Sequence, residues 1–238
     1  MEQLPAYVSI VFGLTTVLAL VIFFFAMKKS GTPSAGKLAT IFLVGSFGWL
    51  SLQALLGIKG VYSGHPDQMP PRIMLLGVLP ALALIILLMI TAAGRRFVDS
   101  LPLRNLTYLN VVRVPVELVL YWLFIHKLVP QAMTFEGRNL DILAGLTAPL
   151  VAYFAFAKNL LGRKVVLVWN LLALALLLNI VAMAVLSIPS PLQKMAFDQP
   201  NVAVLYFPFC WLPSFIVPLV LFGHVVSIRR LVRKFSDA

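Results

Sequence analysis

The chain has 238 residues, 61% hydrophobic and 11% charged, with a formal net charge of +11. This balance is far from that of a soluble globular domain and leaves most of the chain for a bilayer. Nucleic-acid binding, the usual meaning of so basic a chain, is excluded by how the charge is distributed: it sits in short loops between long apolar runs.

Seven apolar stretches are long enough to be expected spans, since a crossing helix needs about 20 predominantly apolar residues. In chain order they cover 5–27, 38–57, 73–93, 106–126, 140–157, 165–186 and 202–228. The first is preceded by Met1-Glu2-Gln3, with no basic region, and no small-residue cleavage site follows it, so it is expected to be retained. The loops after stretches one, three and five, with the tail, carry Lys28, Lys29, Lys37, Arg95, Arg96, Arg104, Lys158, Arg163, Lys164, Arg229, Arg230, Arg233 and Lys234 against Asp99 and Asp237. The opposite loops balance Lys59, Arg72, Lys127, Arg138 and Lys194 with Glu2, Asp67, Glu136, Asp141 and Asp198. An excess of Lys and Arg marks the cytoplasmic face. The expected fold is therefore an all-α integral membrane protein of seven transmembrane helices, N-terminus outside and C-terminus cytoplasmic. Its compact loops suit a bacterial cytoplasmic (inner) membrane.

Polar pairs recur in order along the two halves. Gly13-Leu14-Thr15 returns as Gly145-Leu146-Thr147, Asp67-Gln68 as Asp198-Gln199, Leu79-Pro80 as Leu212-Pro213, and Arg95-Arg96 as Arg229-Arg230. Apolar matches between Leu- and Ala-rich helices mean little, but polar pairs at nearly constant spacing point to a duplicated unit. The expected organisation is one membrane domain: a three-helix unit over 5–97, a linker helix over 104–128, and a second three-helix unit over 138–231. A single linker span turns the second unit the same way as the first, giving parallel repeats of the kind found in one class of transporters.

In this 3+1+3 pattern the chain resembles the sugar-facilitator and PQ-loop group. The resemblance implies a small-solute transporter or facilitator. The Pro-Gln pair of that group is absent from the first helix of each unit: Pro149 is followed by Leu150, and Pro130-Gln131 falls in a loop. Microbial rhodopsins share the span count and orientation, but no expected span carries the lysine a retinal Schiff base requires.

The fourth stretch holds the chemistry. Asn110, Arg113, Glu117 and Tyr121 follow helical i, i+3, i+4 spacing and form one polar stripe. Arg113 and Glu117, four apart, are expected to pair along the helix. Charges at such depth are costly and face the bundle interior or a water-filled cavity. This stripe, with Gln53 from the second stretch, is the expected substrate or proton site; a purely structural ion pair is the competing reading. The loop Glu136-Gly137-Arg138-Asn139-Leu140-Asp141 is the expected outer gate, with Glu136, Arg138 and Asp141 as its polar groups. Asp141 also suits a helix N-terminus as a cap.

His224 is expected as an inner gate near the cytoplasmic end of the last stretch. His65 falls in an outer loop and His126 at the outer end of the fourth stretch, so His126 and His224 cannot share one metal; with no His-x-x-His pair or carboxylate–His cluster either, neither metal nor cofactor is expected. Asn170 and Asn179 project to opposite helix faces, so one at most reaches a central site. Pro80, Pro149, Pro208, Pro213 and Pro218 suggest bent or hinging helices. The expected partners are the bilayer and a small molecule, with no nucleic acid; a homo-oligomer is open. A seven-helix sensor for an apolar or amphiphilic ligand is the alternative, ahead of a lipid-modifying enzyme, for which one buried glutamate is thin general acid–base equipment.

Overall fold

The computed structural model describes residues 4–236. Glu2 and Asp237 of the charge balance, and the side chain of Lys234, lie outside the described part. Among the described residues the fold is all helical, with no strand. The helices are α1 (Ala6–Lys28), α2 (Ala35–Ile58), α3 (Met74–Ile90), α4 (Ala92–Ser100), α5 (Leu103–Ile125), α6 (Asp141–Phe156), α7 (Arg163–Ser187) and α8 (212–236). Their outward faces are apolar, as with Phe47 and Leu14 at 73% and 64% exposure, so the bundle turns hydrophobic surface both inward and outward. Several such helices make the chain compatible with an integral membrane protein.

Five helices are long and apolar enough to cross a membrane, or six if α3 and α4 count as one broken span. The third expected stretch bends by 92° between Ile90 and Ala92. There Thr91 adopts an extended backbone and its hydroxyl accepts from the Gly94 N–H, capping α4. Helix α6, the fifth expected span, has 16 residues. At 1.5 Å per residue it is roughly 24 Å long, short of the ~30 Å hydrocarbon core. The seventh expected stretch differs most. Only from Leu212 is it a long helix; residues before that form a short 3₁₀ turn at Ala203–Leu205 and a buried apolar loop through Phe209 and Cys210. Apolar composition alone does not distinguish a helix from a buried loop.

Two π-helical turns, Met74–Val78 and Leu212–Ile216, pack against each other. Each ends two residues before a proline, Pro80 and Pro218. Pro80 and Pro218 thus hold the same place after their π turns. A proline has no N–H to offer the carbonyl four residues earlier, which leaves those of Leu76 and Ser214 open. Helix α2 supplies both donors from positions one turn apart. Gln53 Nε2 donates to the Leu76 carbonyl at 3.2 Å and Trp49 Nε1 to the Ser214 carbonyl at 3.0 Å. Gly77 permits the crossing: a Cβ there would stand 3.1 Å from the Ser214 Cβ.

Candidate functional site: a buried charge cluster on α5, α6, α7 and α8

Helix α5 is not uniform. Pro115 withdraws its N–H from the Val111 carbonyl, and the helix tightens into a 3₁₀ turn at Asn110–Val112 before resuming at Arg113. In a 3₁₀ turn side chains three apart eclipse, which stacks Asn110 on Arg113; Asn110 Oδ1 accepts from Arg113 Nη1 at 3.1 Å. Helix α6 then comes unusually close. Gly145 is the reason, because a Cβ at this position would lie 2.7 Å from Val114 Cγ2 and 3.0 Å from the Val114 nitrogen. The approach delivers Asp141, one turn earlier on α6, to the guanidinium.

Arg113 is 2% exposed, and every N–H of its guanidinium has an acceptor. Nε donates to Asp141 Oδ2 at 2.7 Å, and Nη2 donates to Asp141 Oδ1 to complete a bidentate pair. Nη2 also donates to the Ala173 carbonyl of α7 at 3.0 Å. Nη1 serves Asn110 and, at 3.2 Å, His224 Nε2. Because Nε2 accepts, the proton of the imidazole sits on Nδ1, which donates to Asn170 Oδ1 at 3.1 Å. Asn170 in turn donates to the Val166 carbonyl at 2.9 Å. Four helices thus close on one guanidinium.

The expected Arg113–Glu117 pair does not form. Asp141 takes Arg113 because a carboxylate across a glycine-lined helix contact can meet the fork bidentately, whereas one four residues along the same helix meets it end-on. Glu117, 1% exposed, is held on one side only. Its Oε1 accepts from Asn139 Nδ2 at 2.5 Å, and its Oε2 is buried with no hydrogen-bond partner. Asn139 is the residue that orders this corner: its amide also donates to the Met133 carbonyl at 3.0 Å, and its Oδ1 accepts from the Asp141 N–H at 3.0 Å. Asn139 thus turns the chain into the start of α6, and Asp141 stands in the first turn of that helix.

A small cavity of about 30 Å³ borders Glu117, Arg113 and Asp141 and is otherwise walled by apolar side chains, among them Val116, Leu120, Leu177, Ile216 and Val220. That is room for at least one water, which needs roughly 10–15 Å³.

Other residues of the expected site lie elsewhere. Tyr121 packs its ring against Phe135 at 5.0 Å, away from the guanidinium. Gln53 sits at the α3–α8 crossing, where its Oε1 accepts from the Tyr62 hydroxyl at 2.5 Å. Burial holds that phenol above its ordinary value, so it serves as a neutral donor. Of the expected outer gate, Glu136 and Arg138 are exposed while Asp141 is 4% exposed and belongs to the cluster. His224, placed by sequence near the inner end, is fully buried against Arg113. The last helix begins ten residues later than its apolar stretch, which brings residue 224 to mid-helix. Asn170 joins the cluster and Asn179 is exposed, donating to the Arg138 carbonyl at 3.0 Å. Sequence reasoning passed over Asn139; the signal for it was an Asn whose side-chain oxygen can accept from the N–H two residues on, as in an Asx turn.

Fold and site together define a helical protein whose several apolar helices are compatible with a membrane, gathered around a buried charge cluster. Residues 70–232 match the family described as Domain of unknown function (DUF8737). The chain belongs to that family. The matched segment contains the whole cluster, from Asn110 to His224, whereas α1 and α2 precede it. No curated protein and no solved structure matches the chain.

Proposed function

We propose that this chain is a polytopic membrane protein that moves a small solute or a proton across a bacterial inner membrane. It has seven membrane-embedded helices in a 3+1+3 arrangement, with the N-terminus outside. Glu117 is the working group of a mid-membrane site, and the Arg113–Asp141–His224 network is the rigid frame that positions it. One observation carries the reading: Glu117 Oε2 is buried, unpartnered and beside a cavity, while every other charged atom of the cluster is satisfied. Arg113 and Asp141 neutralise each other, and His224 accepts from Arg113 as a neutral imidazole, so with the frame in this state the Glu117 proton decides the charge of the site. A carboxyl in such surroundings is settled as a neutral acid, or with a water or cation against Oε2. Two states of one group, each requiring a different neighbour, are what a coupled carrier uses.

The test is proton flux in proteoliposomes under an imposed pH gradient, read with an interior pH dye. Glu117→Gln should abolish the flux while the helical spectrum and melting temperature stay near those of the parent. Unchanged flux sinks the assignment. The apolar walls of the cavity favour a second reading, a sensor for an amphiphilic ligand whose polar end meets Glu117. A ligand that co-purifies with the parent and is lost from Glu117→Gln, without any flux in either, would select it.

A further inference from the structure

A second, larger cavity of about 370 Å³ lies where α6 ends and α7 begins. It has two kinds of wall. Phe156, Leu161, Val166 and Leu231 are apolar; Arg163 and Arg230 line it as basic residues from two different helices. Arg230 gives one N–H to the Leu101 carbonyl and feels the charge of Asp99 without a direct ion pair to it. Asp99 is already engaged by Arg229 at 3.2 Å and Arg233 at 2.7 Å. The chain around the cavity adds more positive charge: Lys158 and Lys164, each next in sequence to a lining residue, are exposed. Between the lining residues Asn159 and Leu161, Leu160 is 70% exposed.

A guanidinium fork matches the oxygens of a phosphate. A basic pocket between helices at a membrane's cytoplasmic side suits an anionic headgroup. An apolar wall next to that fork suits the glycerol and acyl carbons that a lipid phosphate carries, and the volume is within the ~300–1,000 Å³ of small-molecule sites. We infer that this cavity binds the phosphate headgroup of an anionic phospholipid, with Arg163 and Arg230 on the phosphate and the Phe156–Leu161 wall against the glycerol and first acyl carbons. The inference rests on the membrane reading of the chain and is independent of transport at Glu117.

Native mass spectrometry of the delipidated full chain in neutral detergent tests it, with phosphatidylglycerol, phosphatidylcholine and inorganic phosphate as probes. Phosphatidylglycerol should bind at least tenfold more tightly than phosphatidylcholine. Arg163→Gln combined with Arg230→Gln should remove that advantage. Leu161→Trp, which fills the cavity and keeps both arginines, should do the same and decides the matter if the arginine variant fails to fold. Lys158→Gln with Lys164→Gln should change binding by less than twofold, and Glu117→Gln should leave it as in the parent. Equal binding of the two lipids overturns the inference, as does a lysine pair that matters as much as the arginines, since the attraction would then be diffuse. Full displacement of the lipid by millimolar inorganic phosphate overturns the lipid assignment in favour of free phosphate.

Discussion

Around α2 the buried polar side chains answer to the backbone, whereas around α5 they answer to one another. Buried Gln53 and half-buried Trp49 answer Pro80 and Pro218, which leave carbonyls that need donors, and each donor has an acceptor at ordinary distance. Nothing is left over. In the α5 cluster the groups are ionisable, drawn from four helices, and one oxygen remains without a partner. Buried polarity is therefore poor evidence of function by itself; what distinguishes the two regions is the remainder after the hydrogen bonds are counted.

Substitutions can break or sharpen this contrast. The largest stability loss is expected for Arg113→Met, which leaves the Asp141 carboxylate buried without its counter-charge at a cost of about 3–5 kcal/mol. Melting in detergent, followed by circular dichroism, measures it. Adding Asp141→Leu should restore most of the loss, because an apolar pair of similar volume is often no worse than a buried ion pair. Failure of the double variant to recover would mean that His224 and Asn110, not the charge, hold the frame.

Next comes Gln53→Leu. It strands both the Leu76 carbonyl and the Tyr62 hydroxyl, so about 1–3 kcal/mol should be lost with flux per folded molecule unchanged. A flux defect there would erase the distinction drawn between the two regions. Trp49→Phe removes a single hydrogen bond to the Ser214 carbonyl and should cost about 1 kcal/mol by the same melting assay. Glu117→Gln should have the smallest effect on stability, within about 1 kcal/mol, since Oε2 makes no hydrogen bond to lose. A loss as large as that of Arg113→Met would make Glu117 part of the frame.

The helices were legible because their apolar runs are long, and the α5 stripe because helical spacing needs no knowledge of the fold. Asn110 and Arg113 do meet. The partner of Arg113 was not legible, because Asp141 reaches it through a contact made possible by Gly145, and a glycine in a sequence does not say which helix it admits. His224 was misplaced for a different reason: residues 202–211 are as apolar as a span but fold as a loop, so the helix was counted from the wrong start. The bend at Thr91 was hidden likewise: no proline marks it, and Gly94, where a Cβ would overlap the Leu88 carbonyl oxygen, reads in sequence as one more glycine near a helix end.

Arg113 and Asp141 are 28 residues apart on consecutive helices, while His224 is 111 residues beyond Arg113. For a chain threaded into a bilayer as it is synthesised, this spacing sets a schedule. Helices α5 and α6 can enter as a hairpin with their opposite charges already joined, so neither has to cross alone. The histidine arrives last, after the rest of the frame exists, and works as a latch. An Asp141→Asn chain would therefore be expected to go wrong at the ribosome rather than in the finished bundle, appearing as a misoriented or rapidly degraded product in pulse labelling.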